Sequence, residues 1–558
     1  MSLRRLTQAA SVVVLLVLWV ACGDYYRPVV NPLTTIPPSP SNQHAVFALT
    51  ANAPGSPGAG MQIDVSGDTD VGEAHVDLPT HAALAPNDGR LFIASAGSLV
   101  PGGTDEFLSL SPASVLGGGL NIIDTLSLPA GSLPDFVATS QTGFAYVANF
   151  GTNSVTAINT STDQITNTAP VGTGPVAMAE TSGATAAPPK LYVANQTSNS
   201  VTSLNAADLS QNSVSGFTGA APVWMVARSD GQKVYVVTQG DGQLETIDTA
   251  TDTVTGSLPV GAGANFVAYD PHLSRLYVTN PVTHMVYVFS ATGGANDTPT
   301  QMASFSFASG STACPSGCSP SSVAALADGS RFYVASYQTY PATCPDPDVV
   351  GACVVPQFTV FDAQSLSLKV VSVPLLGGSP FLPNQYAVPS VASCAVTTPY
   401  VPGATRFRVF TEAAADSTRV YVGVCDAGVI ADVNAADDNI NNPTKGRAPD
   451  SLVLDLPAPA GVCLQPSCSQ VASITAFSIA GNVITFQAGN SFVAGQTVTI
   501  SGLTSYLNQV RLTVLPTGLS AAQFQCDFSH ADVNMTTVSG SAIPSLPAQT
   551  PLFLLTGR

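Results

Sequence analysis

Ten cysteines are the most reactive side chains of this chain, and their spacing limits the chemistry open to them. Three pairs are close in sequence: Cys314 with Cys318, Cys344 with Cys353, and Cys463 with Cys468. Cys394 with Cys425 is the remaining pairing, and Cys526 is left over. In an oxidising compartment such cysteines form disulfides. A metal on Cys314 and Cys318 is the alternative, but no histidine accompanies them. The absence of Cys-x-x-Cys-His excludes a c-type haem site of the usual kind. The six histidines, at 44, 75, 81, 272, 284 and 530, form no His-x-His or His-Glu-x-x-His pattern, so solvated loop positions are expected for them. Gly172-Thr173-Gly174 and Gly261-Ala262-Gly263 join strands and open no helix, which removes a dinucleotide fingerprint. No Gly-x-Ser-x-Gly elbow stands in a strand-turn-helix context. Asp437, Asp438, Asn439 and Asn441 offer oxygen ligands suited to calcium, as do Asp346 and Asp348, but an enlarged polar hairpin explains them more simply. No catalytic residue, cofactor or metal is therefore assigned, and the chain is not expected to be an enzyme.

The elements that carry these residues belong to an exported protein. Charged residues make up 9% of the chain and hydrophobic ones 45%. The net charge of -18, from 35 acidic against 17 basic residues, argues against nucleic acid as a partner. Arg4 and Arg5 precede a short apolar run from Val12 to Val20, and Val20-Ala21-Cys22 follows. A membrane span needs about 20 apolar residues, so this run is too short to be one. The segment resembles the lipobox of bacterial lipoproteins, with Trp19 where that motif usually has Leu. The resemblance implies residues 1–22 as a leader and Cys22 as a lipidated N-terminus facing the periplasm or cell exterior. Residues 23–43 carry Pro28, Pro32, Pro37, Pro38 and Pro40, the composition of an extended tether.

Internal repetition dominates residues 44–470. Leu191-Tyr192-Val193-Ala194-Asn195 recurs around aromatics at 47, 92, 146, 192, 235, 277, 333 and 421, mostly 42 to 46 residues apart. Each unit reads as an aromatic strand, a polar turn, a second strand such as Gln243–Asp248, an Asp/Asn turn, a third strand ending in Gly, and a fourth strand. An Asp-Gly pair, as at Asp230-Gly231, then leads into the next aromatic strand. The aromatic strand is apolar on both faces, so both must be covered, as happens between packed propeller blades. These segments are similar to the YVTN family of β-propeller repeats: Tyr277-Val278-Thr279-Asn280 matches its signature, and Val171-Gly172-Thr173-Gly174-Pro175 fits its interblade turn. The fold expected is all-β, a seven- or eight-bladed β-propeller with eight units counted. The resemblance fixes architecture and leaves function open.

Residues 471–545 lose this grammar and read as a small β-sandwich or barrel, with 546–558 as a tail. Long insertions at 310–320, 338–356 and 376–404 carry five of the cysteines and fall in loops that share one face of a propeller. The opposite face is expected to carry a broken ring of cations two residues before the aromatic: Arg90, Lys190, Lys233, Arg275, Arg331 and Arg419. Two roles are open to it: meeting anionic headgroups or an acidic partner, or capping turn carboxylates such as Asp88, Asp230 and Asp328. Together these readings point to a lipid-anchored cell-envelope protein that binds or scaffolds a protein or glycan. A lactonase-like hydrolase is the alternative, and it needs convergent His, Arg or carboxylates at one channel mouth.

Overall fold

The computed structural model describes residues 45–557 apart from 52–57, 66–68, 100–102, 113–119, 182–187, 293–297, 346–351, 376–393, 436–450, 454–471, 493–496, 546–549 and a few single positions. Its described elements are strands and two short 3-10 turns. Eight four-stranded antiparallel sheets contain the eight aromatic repeats. Their innermost strands contact one another in sequence and close a ring. In the fifth blade the order from the axis outward is Pro222–Ala227, Lys233–Thr238, Gln243–Asp248 and Thr253–Pro259.

The aromatic strand is therefore the second of its blade, one place later than the repeat grammar suggested. The strand that ends one sequence repeat is the inner strand of the next blade: Phe266–Asp270 pairs with Arg275–Asn280, not with the strands before it. The first blade begins at the aromatic strand Ala45–Ala51 and lacks an inner strand of its own. Thr550–Thr556 supplies it, pairing antiparallel from Val46 with Thr556 to Ala51 with Thr550. The expected tail is thus the closing strand of the ring. The physical reason is the edge: a ring of blades with one unpaired seam exposes free backbone groups, and one strand from the far end of the chain removes it.

The aromatic strands are buried throughout, as two-sided apolarity requires; Tyr146, Tyr192, Tyr235, Tyr277, Tyr333 and Tyr421 are among the largest fully buried side chains. The motif asparagines tie turns down: Asn149 and Asn195 donate to hydroxyls of their own blade, and Asn280 binds the turn that leads in from the fifth blade. The Asn280 amide donates to the carbonyl oxygens of Val260, Gly261 and Ala262 at 2.9, 2.7 and 3.2 Å. A Cβ at Gly172 would lie 2.7 Å from the Asn195 amide carbon, so the Gly-x-Gly turns are needed for close approach.

The six repeated cations do not form an outward ring. Arg90 of the second blade pairs with Asp163 of the third at 2.7 Å, and Lys190 of the fourth with Asp252 of the fifth at 2.7 Å. Arg275 donates to the Ala363 carbonyl of the seventh blade, and Arg331 to the Ala435 carbonyl of the eighth. Lys233 and Arg419 pair within their own blades, with Asp248 at 2.9 Å and Asp432 at 3.2 Å. Except for Asp432, which stands on the third strand of its blade, the partners lie at the turns between third and fourth strands. Asp230 instead pairs with Arg228, and Asp328 accepts the Ser330 N–H; Asp88 lies outside the described residues. The motif tyrosines join the same latch: the Tyr146 hydroxyl donates to the Ala206 carbonyl of the next blade at 2.6 Å, and Tyr192 to Asp252. Both expected roles, a lipid-facing ring and caps on the Asp-Gly turns, are corrected to latches that mostly run from blade to blade. Lys233 is fully buried, and the other five are each held by a partner within the fold. Lys190→Met is expected to cost about 2–3 kcal/mol, because it strands Asp252 in a largely buried turn; equilibrium urea unfolding checks this, and a change below about 0.5 kcal/mol would place the latch among inert surface pairs.

Ala472–Ala480, Val483–Ala488, Thr497–Ser501, Val510–Thr513, Gln523–Asp527 and Val533–Ser545 form a separate six-stranded antiparallel sheet, inserted before the closing strand. The sheet curls until its edges meet, through a bridge from Val514 to Cys526. Its core holds Phe477, Phe486, Phe524 and the free, buried Cys526.

Candidate functional site: the sealed channel mouth

Inner strands carry a proline at their first or second position in six blades, followed by a skipped register position: Thr80, Asp135, Val176, Val223, Ser321 and Leu552. Proline suits a strand start on the channel edge because it has no N–H to leave unpaired. The skip is a β-bulge, and bulges free backbone groups and re-aim side chains. The residue after each bulge turns into the channel. Trp224 of the fifth blade meets His81 of the second, Phe136 of the third, Phe266 of the sixth and Phe553 of the closing strand, with ring centroids 5.4 to 6.3 Å apart. Contacts across five blades at one level make an aromatic plug.

Over this plug lies a strap from the long insertion ahead of the eighth blade. Cys394 is disulfide-bonded to Cys425, Val396 bridges to Thr405, and Arg408 pairs with Asp426 at 2.6 Å. Phe407 enters the plug against Trp224, Phe266 and Phe410. Arg406 lies beside it, bonded to the Asp135 carboxylate and donating to the Val176 bulge carbonyl at 2.7 Å. The Tyr400 hydroxyl donates to the other Asp135 oxygen at 2.6 Å, and its ring stacks under the guanidinium at 4.1 Å. Asp135 is fully buried and the Arg406 side chain nearly so.

Burial pushes the Asp135 carboxyl above its usual range, opposed by the Arg406 charge and the Tyr400 hydroxyl. Burial, then the charge of Asp135, pushes the Tyr400 phenol well above its ordinary value. Burial and the nearby Arg406 hold His81 well below the usual histidine range. Its Nδ1 accepts the Val137 N–H at 3.3 Å, which leaves the proton of the neutral ring on Nε2. His81 is thus a buried wall residue, contrary to the loop position expected. Two clefts flank the strap, of about 10 Å³ beside Leu78 and Gly403 and about 30 Å³ beside Trp224 and Asn265. That is room for a water or two.

Disulfides join Cys314 to Cys318 and Cys344 to Cys353 as well. With Cys394–Cys425 they sit in loops between fourth and first strands or between second and third, hence on the face that carries the strap. Cys463, Cys468, Cys22, Asp346, Asp348, Asp437, Asp438, Asn439 and Asn441 lie outside the described residues. Sequence reading missed Asp135, Arg406 and Tyr400 altogether. A signal existed for Asp135: Pro134-Asp135-Phe136 puts a carboxylate where Pro175-Val176 and Pro222-Val223 have valine.

No family model matches the chain, and no curated protein matches it. Solved structures do resemble it. The Kuenenia stuttgartiensis hydrazine synthase is 16% identical, with a TM-score of 0.37 over 56% of this chain and 78% of that one. The Cps50 (Swd1) β-propeller domain of Myceliophteria thermophila is 11% identical, with a TM-score of 0.40 over 63% and 95%. A putative 6-phosphogluconolactonase from Bacteroides uniformis is 11% identical, with a TM-score of 0.40 over 59% and 97%. The chain is a β-propeller. Its own sheets carry that conclusion, and the neighbours add nothing about activity.

Proposed function

We propose that the chain is an exported, lipid-anchored cell-envelope protein whose propeller binds or scaffolds a protein or glycan on the disulfide-bearing face. The observation that carries this reading is the sealed mouth. Asp135, Arg406 and Tyr400 satisfy one another beneath the strap, and the flanking clefts hold only water-sized space. Recognition on that face then falls to its outer surface. There the insertions are cross-linked, which lowers the ordering entropy lost on binding. Exposed aliphatic side chains stand on the same face: Leu99 and Val282 in turns between second and third strands, Val396 and Val401 on the strap. The hydrolase reading draws on the convergence of His81, Asp135 and Arg406, but each is already engaged by a protein partner.

Two measurements test the proposal. Cys22→Ser is expected to move the protein from the membrane fraction to the soluble one; unchanged fractionation would overturn the lipid anchor. A photoreactive side chain at Val282 or Val401 is expected to give a discrete adduct in intact cells, and none at Met302, an exposed position on the outer strand of the sixth blade. Equal yields from all three positions would sink the assignment of the binding face.

A further inference from the structure

Below the aromatic plug the channel is a different environment. Two residues beyond the plug level, each inner strand again points inward. Ala83, Ala138, Val226, Ala268 and Leu555 stand there partly exposed, and Ala179 and Ala324 stand there buried. The intervening position is buried in all eight blades, from Ala82 to Leu554, because it packs between blades. The lower channel is thus an apolar, alanine-rich funnel on the face away from the strap, with the plug as its floor.

One blade breaks the pattern. The eighth places Glu412 at this level, opposite Tyr421 as Ala138 is opposite Tyr146. Glu412 is partly exposed to the funnel. Its side-chain partner is a hydroxyl, Thr556 Oγ1, which donates at 3.2 Å. Among the described residues no cation pairs with it. The inner strands on either side, Ser319–Ala325 and Thr550–Thr556, carry no titratable group. On the second strands of the seventh and eighth blades, Arg331 donates to the Ala435 carbonyl and Arg419 pairs with Asp432; the remaining titratable groups there are tyrosines, among them Tyr333 and Tyr421.

A carboxylate set in an apolar wall is costly unless a positive charge meets it. Elsewhere among the described residues, carboxylates this enclosed have a cation, as Asp135, Asp248 and Asp426 do, accept backbone N–H groups, as Asp105 and Asp270 do, or are walled in between strands as Glu245 is. Glu412 differs from these: it is partly exposed on the channel wall, and its side-chain partner is a hydroxyl, neither a cation nor a backbone N–H. A largely apolar concavity with one oriented polar group is the usual build of a small-ligand site. We infer that the lower channel is a binding chamber for a small amphipathic cation, its apolar body against the alanines and the plug and its ammonium on Glu412. Burial pushes the Glu412 carboxyl up to about 7, so the empty chamber exchanges its charge near neutrality.

The probe is n-hexylammonium, with n-hexanol as its uncharged counterpart. In the full chain carrying Trp19→Phe, the single remaining tryptophan is Trp224, in the floor of the chamber, and its fluorescence reads occupancy. Hexylammonium is expected to bind more tightly than hexanol at pH 8. Its affinity should rise about tenfold from pH 6 to pH 8 as Glu412 ionises, whereas that of hexanol should not. Glu412→Ala gives the eighth blade the alanine that the seventh has at Ala324 and should fold at least as well, with near-UV circular dichroism as the check. It should bring hexylammonium down to the hexanol affinity and abolish the pH dependence. Equal affinity of amine and alcohol in the parent chain, or undiminished amine binding by Glu412→Ala, would overturn the inference. Either result leaves the binding role of the opposite face untouched.

Discussion

Chains that end at residue 549 are expected to fail to form the closed ring, the largest single effect foreseen here. The loss is out of proportion to the few residues removed. Thr550–Thr556 is the inner strand of the first blade, and without it Ala45–Ala51 is left with a free hydrogen-bonding edge on the channel side. Leu554 is 1% exposed and Phe553 packs on His81, Trp224 and Phe410. Removing two large apolar side chains from a packed interior costs about 3–5 kcal/mol each. A domain of this kind has only about 5–15 kcal/mol in reserve. The open seam would also separate the first and eighth blades, which meet through this strand. Size-exclusion chromatography and near-UV circular dichroism test the point. A truncated chain that stays monomeric with a parent-like aromatic spectrum would show that ring closure is dispensable.

Arg406→Met is expected to destabilise the protein by about 3–5 kcal/mol at pH 7, because it leaves the Asp135 carboxylate buried without its cation. The double variant Arg406→Met with Asp135→Val should recover most of that loss, since valine stands at the same bulge position in the fourth and fifth blades. The sign with pH follows from the burial of Asp135. In Arg406→Met its folded-state pKa rises further above the unfolded value, so the folded state favours the protonated acid. Stability is then present below the ordinary carboxylate range and is lost as pH rises through the folded pKa. The deficit of the single variant should therefore shrink on acidification, and that of the double variant should not. Denaturant unfolding at pH 4 and pH 7 for the four members of this cycle measures both effects. A single variant as stable as the double at pH 7 would mean that the pair contributes nothing through its charge.

The repeat architecture was legible in the chain because it is written in local terms. A strand apolar on both faces, a turn of Asp, Asn or Gly, and a period near the low forties recur without reference to distant residues. The cysteine pairs near the seventh and eighth blades were legible for the same reason: an insertion keeps its cysteines close in sequence, and once the strands are placed, alternation of direction puts their loops on one face. The cations were visible as a pattern, but their partners were not, since Lys190 and Asp252 belong to neighbouring repeats and meet only when the blades are stacked.

What the chain alone left open depends on closure. Whether Thr550–Thr556 is a tail or a strand cannot be decided locally, because its partner stands at the other end of the propeller. Arg406 and Asp135 are 271 positions apart, and nothing in either neighbourhood marks them as a pair. Glu412 reads as an ordinary polar residue in a strand until seven other inner strands align with it around an axis. Composition and period determined that this protein would be a ring of blades. Only the ring, by bringing the inner strands within side-chain reach of one another, decided which mouth is sealed and placed Glu412 in an otherwise apolar channel wall.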